Sequence, residues 1–181
     1  MLSPMKKVKI LSVFVLALIS GFWACEKDDI CIEGDTPLLV IRFYDIDNPT
    51  ELKTVPSLRI VGVGQNSTVT TTTDRSALDS ISIPLKVSED TTGFYFIKNS
   101  SDVEEEDSEG NTVTLEGGDV DTLYFNYTRK DKFISRACGY IANFENLESD
   151  LEAEAENWIK DIEIISPLVE NSTEAHVKIF H

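Results

Sequence analysis

From residue 37 onward, apolar, β-branched and aromatic residues come in short runs separated by turn residues, the signal of strands in an all-β domain. The runs lie at 38–44 (LLVIRFY), 58–63 (LRIVGV), 67–73 (STVTTTT), 80–85 (SISIPL), 93–98 (GFYFIK), 112–115, 122–128, 133–144, 159–165 and 176–180. Polar 67–73 and the run holding Pro84 predict edge strands, since proline cannot donate to a central ladder. Alternation is clearest in LYFNY, where Leu123, Phe125 and Tyr127 share one face and Tyr124 and Asn126 the other, as a two-residue period requires. Val177 and Ile179 repeat the pattern against His176 and Lys178. Nine or ten strands without helical crossovers predict antiparallel pairing in a β-sandwich, immunoglobulin-like or transthyretin-like.

One stretch departs from this period. Leu147, Leu151, Ala155 and Trp158 fall at spacings of four, four and three, with Glu148, Asp150, Glu152, Glu154 and Glu156 between them. The spacing predicts one or two helical turns before the last strands, with Trp158 closing the core. An acidic loop is the alternative.

The first residues have another character. Lys6, Lys7 and Lys9 precede the apolar run 10–24, the order of an export signal. That run is shorter than the roughly 20 residues needed to span a bilayer as a helix. Its border reads FWACEKDDIC: Ala24 directly before Cys25 resembles the bacterial lipoprotein signal, in which the new terminal cysteine receives acyl chains such as palmitate. Phe22 and Trp23 stand where that signal usually has a Leu-like and a small residue. Lys27, Asp28 and Asp29 resemble the export tag of surface lipoproteins of Bacteroidota-type bacteria, although an ordinary charged tether would look the same. The expected organisation is a signal peptide at 1–24, an acidic tether at 25–36 and a single sandwich domain at 37–181. Stable anchoring needs two or more acyl chains, which a multiply acylated Cys25 supplies.

Cysteine count adds to this picture. Of Cys25, Cys31 and Cys138, lipidation of the first leaves an even pair. In an oxidising envelope Cys31 and Cys138 could close a loop of about 107 residues, stabilising the fold by roughly 4–5 kcal/mol in the chain-entropy model. Two buried reduced thiols are the alternative.

Charge narrows the partners. Without the three lysines of residues 1–24, 13 basic residues face 32 acidic ones, a net charge of −19. Nucleic acid is excluded, because its binding depends on basic residues neutralising phosphates, and a body lying flat on anionic lipid is disfavoured. The five acids of VEEEDSEGN, 103–111, suit a solvated hairpin tip, with weak Ca²⁺ binding as the alternative. In DIDNPTE, 45–51, Pro49 and Thr50 stand where a calcium loop needs a ligand and a glycine, so a turn is expected. Two histidines, His176 and His181, five apart, and no nucleophile elbow, zinc pattern or phosphate loop predict no catalytic residues, no metal and no cofactor.

The stretches CEKDDIC, TPLLVIRFYDIDNP, DRSALDSISIPL, SRACGYIANFENL and AHVKIFH are similar to a family of uncharacterised Bacteroidota lipoproteins classed only as a domain of unknown function. The resemblance covers essentially the whole mature chain. It implies a lipid-anchored outer-membrane protein, facing outward, with a barrel-like neighbour in that membrane, and implies no activity. The triplets around Ser80, Thr91 and Thr122 resemble the acid, hydroxyl, apolar sites at which such bacteria attach O-glycans. Two functions fit: a non-enzymatic accessory subunit of an outer-membrane partner, or a free surface module binding glycan through Tyr44, Tyr95 or Tyr124.

Overall fold

Nine strands carry the fold: β1 (Leu39–Tyr44), β2 (Val55–Gly62), β3 (Ser76–Leu78), β4 (Ser80–Ile83), β5 (Thr91–Glu106), β6 (Thr112–Ser135), β7 (Gly139–Leu151), β8 (Asp161–Ile164) and β9 (Val177–Phe180). The structure, a computed structural model, describes Cys31 and residues 34–181. The signal at 1–24, Cys25 and the Lys27, Asp28, Asp29 tag therefore lie outside the described residues.

A four-stranded sheet in the order β4-β1-β9-β8 packs against a five-stranded sheet in the order β3-β2-β5-β6-β7. The apolar alternation explains the layers. Ile41, Phe43, Ile81, Ile83, Val177 and Ile179 of the smaller sheet meet Leu58, Ile60, Phe94, Phe96, Leu123 and Phe125 of the larger one, all nearly or fully buried. The fold is the expected all-β sandwich, with one exception to antiparallel pairing: β1 runs parallel to β9, Ile41 opposite Val177 and Tyr44 opposite Phe180. Both are central strands of the small sheet; Ile41, Phe43, Val177 and Ile179 turn to the core, while Arg42 and Lys178 turn outward.

Several boundaries differ from the sequence reading, each for a local reason. No helix forms among the described residues: β7 continues through Leu147 to Leu151, and 152–160 is a loop. The runs 112–115 and 122–128 are one strand, because Gly118 (φ 123°) and Asn99 (φ 56°) form a bulge that lets the ladder pass the glycines. The run 133–144 is instead two strands joined by a tight turn ending at Gly139 (φ 71°). Residues 67–73 form no strand; Thr68 makes a single bridge to Val61, and the Thr71 hydroxyl donates to the Ser82 carbonyl.

β6 is the spine of the molecule. Its middle, 121–127, lies over the core. Its first part pairs only with the end of β5, from Ser101 opposite Gly117 to Glu106 opposite Thr112. Its last part pairs with the start of β7, up to Ser135 opposite Gly139. Two ribbons with mostly exposed side chains thus leave the sandwich at opposite ends of one strand.

Candidate functional site

The β6–β7 ribbon ends at the disulfide. Cys31 and Cys138 are bonded with Cα atoms 4.9 Å apart, and the Cys138 amide donates to the Ser135 hydroxyl at 3.1 Å within the turn. Gly34 lies against the bond: a Cβ there would come 2.6 Å from Cys31 Sγ and 3.2 Å from Cys138 Cβ. The chain entering the domain is therefore held at the ribbon tip. Phe133 and Tyr140 face each other across the strands, edge to face with centroids 5.2 Å apart, yet they are 55% and 70% exposed. In a chain so acidic, this ribbon carries Arg129, Lys130, Lys132 and Arg136 against Asp131 and Glu145. Arg129 pairs with Asp131 and Lys130 with Glu145, all on the surface.

The β5–β6 ribbon is the opposite in charge. From 99 to 119 it carries Asp102, Glu104, Glu105, Glu106, Asp107, Glu109, Glu116 and Asp119 with no lysine or arginine. The acids expected in a mobile tip belong largely to strand, since the ladder continues to Glu106 and only 107–111 turn. Asp107 organises that turn: its carboxylate accepts the Asn111 and Glu109 amides at 2.9 and 2.8 Å, which holds its carboxyl below the usual range. At the base, Arg59 bonds Glu116 and Asp74, and Arg75 bonds Ser100, Asp102 and Glu116. Burial pushes the Glu116 carboxyl up, but the Ser100 hydroxyl and both guanidinium groups bring it below its ordinary value on balance. Two arginines thus offset charge where the ribbon leaves the sheet and leave the outer acids uncompensated. Val103 and Leu115, opposite each other in register, and Val120 are exposed among them.

Other candidate residues take structural places. His176 Nδ1 accepts the Val40 amide at 3.1 Å, and burial holds its pKa below the ordinary value. His181, similarly lowered by burial, packs edge to face on Phe43 and Trp158. Asp121, raised by burial, accepts the Ile159 amide at 2.7 Å and the Asn157 side chain at 3.1 Å. That carboxylate positions the loop from which Trp158 donates to the Phe96 carbonyl. Among the described residues no three His, Cys, Asp or Glu side chains converge as a metal site. In 45–51 the expected turn forms, with Asp45 accepting from Asn48 within it and from Lys53 just beyond it.

The tyrosines do not converge. Tyr44 stacks on Phe180, Tyr124 lies over Gly93, and Tyr95 is half-buried in β5. A cleft of about 300 Å³, lined by Val63, Val69, Pro84 and Phe94 among others, is bordered by none of them. Of the hydroxyls in the acid, hydroxyl, apolar triplets, Thr91 is exposed and Ser80 half-buried. Thr122 is only 5% exposed in mid-strand, which closes it to a glycan in the folded chain. The two ribbons were not visible as sites in the sequence; the charge reversal between 102–109 and 129–136 was the available signal.

Residues 57–181 match a family of unknown function, DUF6452, and the chain belongs to that family. No curated protein and no solved structure matches the chain. The matched span begins inside β2, whereas β1, central in the small sheet, precedes it, so the folded unit is larger than the match.

Proposed function

We propose that this DUF6452 protein is a non-enzymatic envelope lipoprotein of the Bacteroidota type, anchored through acyl chains on Cys25, that serves as an accessory subunit of an outer-membrane barrel-like partner. The observation that carries the reading is the acidic β5–β6 ribbon. A two-stranded ribbon in water gains little from its own burial, and the core does not need this one, because its outer side chains are exposed. It presents open backbone edges and the apolar pair Val103 and Leu115 within a field of carboxylates. Open edges offer strand addition and the acids deter indiscriminate pairing. A partner surface that is basic around an apolar strip is the complement. The export-signal order of residues 1–24 and the cysteine at its border support the anchor.

A photo-crosslinking residue at Leu115 in the full chain, irradiated in intact native membranes, tests this reading. The expected result is one outer-membrane barrel or transporter recovered reproducibly. Capture should disappear when 104–114 are replaced by an Asn-Gly turn joining the cross-strand partners Val103 and Leu115. A chain that stays monomeric, with no reproducible neighbour from either ribbon, sinks the accessory role and favours a free binding module.

A further inference from the structure

We propose that the tip of the β6–β7 ribbon docks into the headgroup layer of the membrane that holds the protein, with Phe133 and Tyr140 at the interface and Lys132 and Arg136 on lipid phosphates. The inference rests on the Cys25 anchor reading and adds a second, protein-borne contact that orients the molecule.

Three independent observations converge on that tip. The first is reach. The disulfide fixes Cys31 to the ribbon turn, and Cys31 lies only six positions after Cys25. Six residues span at most about 20 Å, so an acylated Cys25 holds this end of the molecule within that distance of the bilayer. The second is surface chemistry. An aromatic pair with both rings largely exposed is out of place on a water-facing ribbon. Aromatic side chains concentrate at the membrane interface, where the ring meets acyl chain and the polar end meets water; Tyr140 has that character. The third is charge. The body repels an anionic surface, whereas the stretch Arg129–Lys130–Asp131–Lys132 and Arg136 reverses the sign locally. Basic side chains beside a lipid anchor are attracted to anionic headgroups.

The geometry suits entry end-on. Arg136 sits in the turn, with Phe133 three residues before it and Tyr140 four after, and Lys132 lies on the opposite ribbon face by the two-residue period. With the basic tip at the membrane, β6 carries the acidic ribbon away from the bilayer, to meet the part of the partner that stands out from it. Net repulsion of the body and attraction of the tip thus act in the same sense and hold the long axis off the surface.

The test uses the processed, acylated full chain reconstituted in phosphatidylethanolamine–phosphatidylglycerol vesicles containing brominated acyl chains. Phe133→Trp and Tyr140→Trp variants are compared with Leu115→Trp on the far ribbon, after subtraction of native Trp158 emission. The acyl mass on Cys25 is measured in the same samples. Quenching of the ribbon-tip tryptophans at least twofold above the Leu115→Trp control is expected, and adding Lys132→Glu with Arg136→Glu should halve it. Acylated protein with quenching no greater than the control overturns the docked tip and leaves the anchor standing. Unmodified Cys25 with strong tip quenching overturns the anchor and leaves the tip contact. Unmodified Cys25 without quenching removes both. Native near-ultraviolet dichroism in each variant excludes unfolding as the cause.

Discussion

His176 shows how a residue type associated with chemistry is used for architecture. Its Nδ1 accepts the Val40 amide, so the ring must be neutral with its proton on Nε2, and that nitrogen has no partner among the described residues. His176 and His181 flank β9 at its two ends and both are buried, so the two-residue period of the strand does not reveal their role. Burial lowers the pKa of each below 6.5. The unfolded ring therefore takes up its proton first as pH falls. The stability that these rings contribute is complete above about pH 6.5 and is lost as pH drops toward the folded values. Urea unfolding should accordingly show declining stability between pH 7 and 5. His176→Asn keeps an acceptor near Nδ1 and does not titrate, so it should flatten part of that decline. His176→Ala orphans the buried Val40 amide and should cost about 1–3 kcal/mol at pH 7, a deficit that narrows as pH falls and the wild type loses the histidine's contribution. An unchanged pH slope in His176→Asn would mean that His176 does not supply the titration.

At the scale of elements, most core strands were legible because burial on one face imposes a two-residue period. The error at 147–158 has a definite origin. A spacing of four is a multiple of two as well as about one helical turn, so Leu147 and Leu151 fit a strand as well as a helix. Only Trp158, seven residues beyond Leu151, distinguishes the two, and it belongs to neither period because it sits in a loop. That loop is held by Asp121, whose carboxylate receives the Ile159 amide and the Asn157 side chain. Asp121→Ala leaves the buried Ile159 amide without its acceptor, a loss of about 1–3 kcal/mol, and frees the segment that seats Trp158. Trp158 is the sole tryptophan once residues 1–24 are removed. Its emission should move to longer wavelength in folded Asp121→Ala, and less so in Asp121→Asn, which retains an acceptor oxygen. Identical spectra in all three proteins would show that packing around Trp158, not Asp121, sets the loop.

Across the whole molecule, what the sequence obscured is the pair of ribbons, and the reason is physical. Periodicity appears only where one face is buried, and residues 101–119 and 128–135 are largely exposed on both. The cysteine pairing could be anticipated from an odd count, but not that Cys138 would lie at the tip of a projecting hairpin. The consequence for shape can be measured. β6 contains 24 residues, which at about 3.3 Å per residue span up to about 75 Å. A compact domain of about 150 residues has a radius of gyration near 15 Å. Small-angle scattering from a soluble chain starting after Cys25 should give a radius well above that value and a longest dimension of about 70 Å or more. Replacing 104–114 with an Asn-Gly turn removes three residues from each ribbon strand and shortens the turn between them, so at about 3.3 Å per residue the longest dimension should fall by about 10 Å or slightly more, and the residues before the domain are the same in both proteins. Unfolding free energy should change by less than about 1 kcal/mol, because the removed side chains are exposed. A radius near 15 Å that the replacement leaves unaltered would mean that the ribbons fold back on the sandwich. The basic and acidic ends would then no longer be held apart, and with them would go the physical basis for an anchor at one end and a partner at the other.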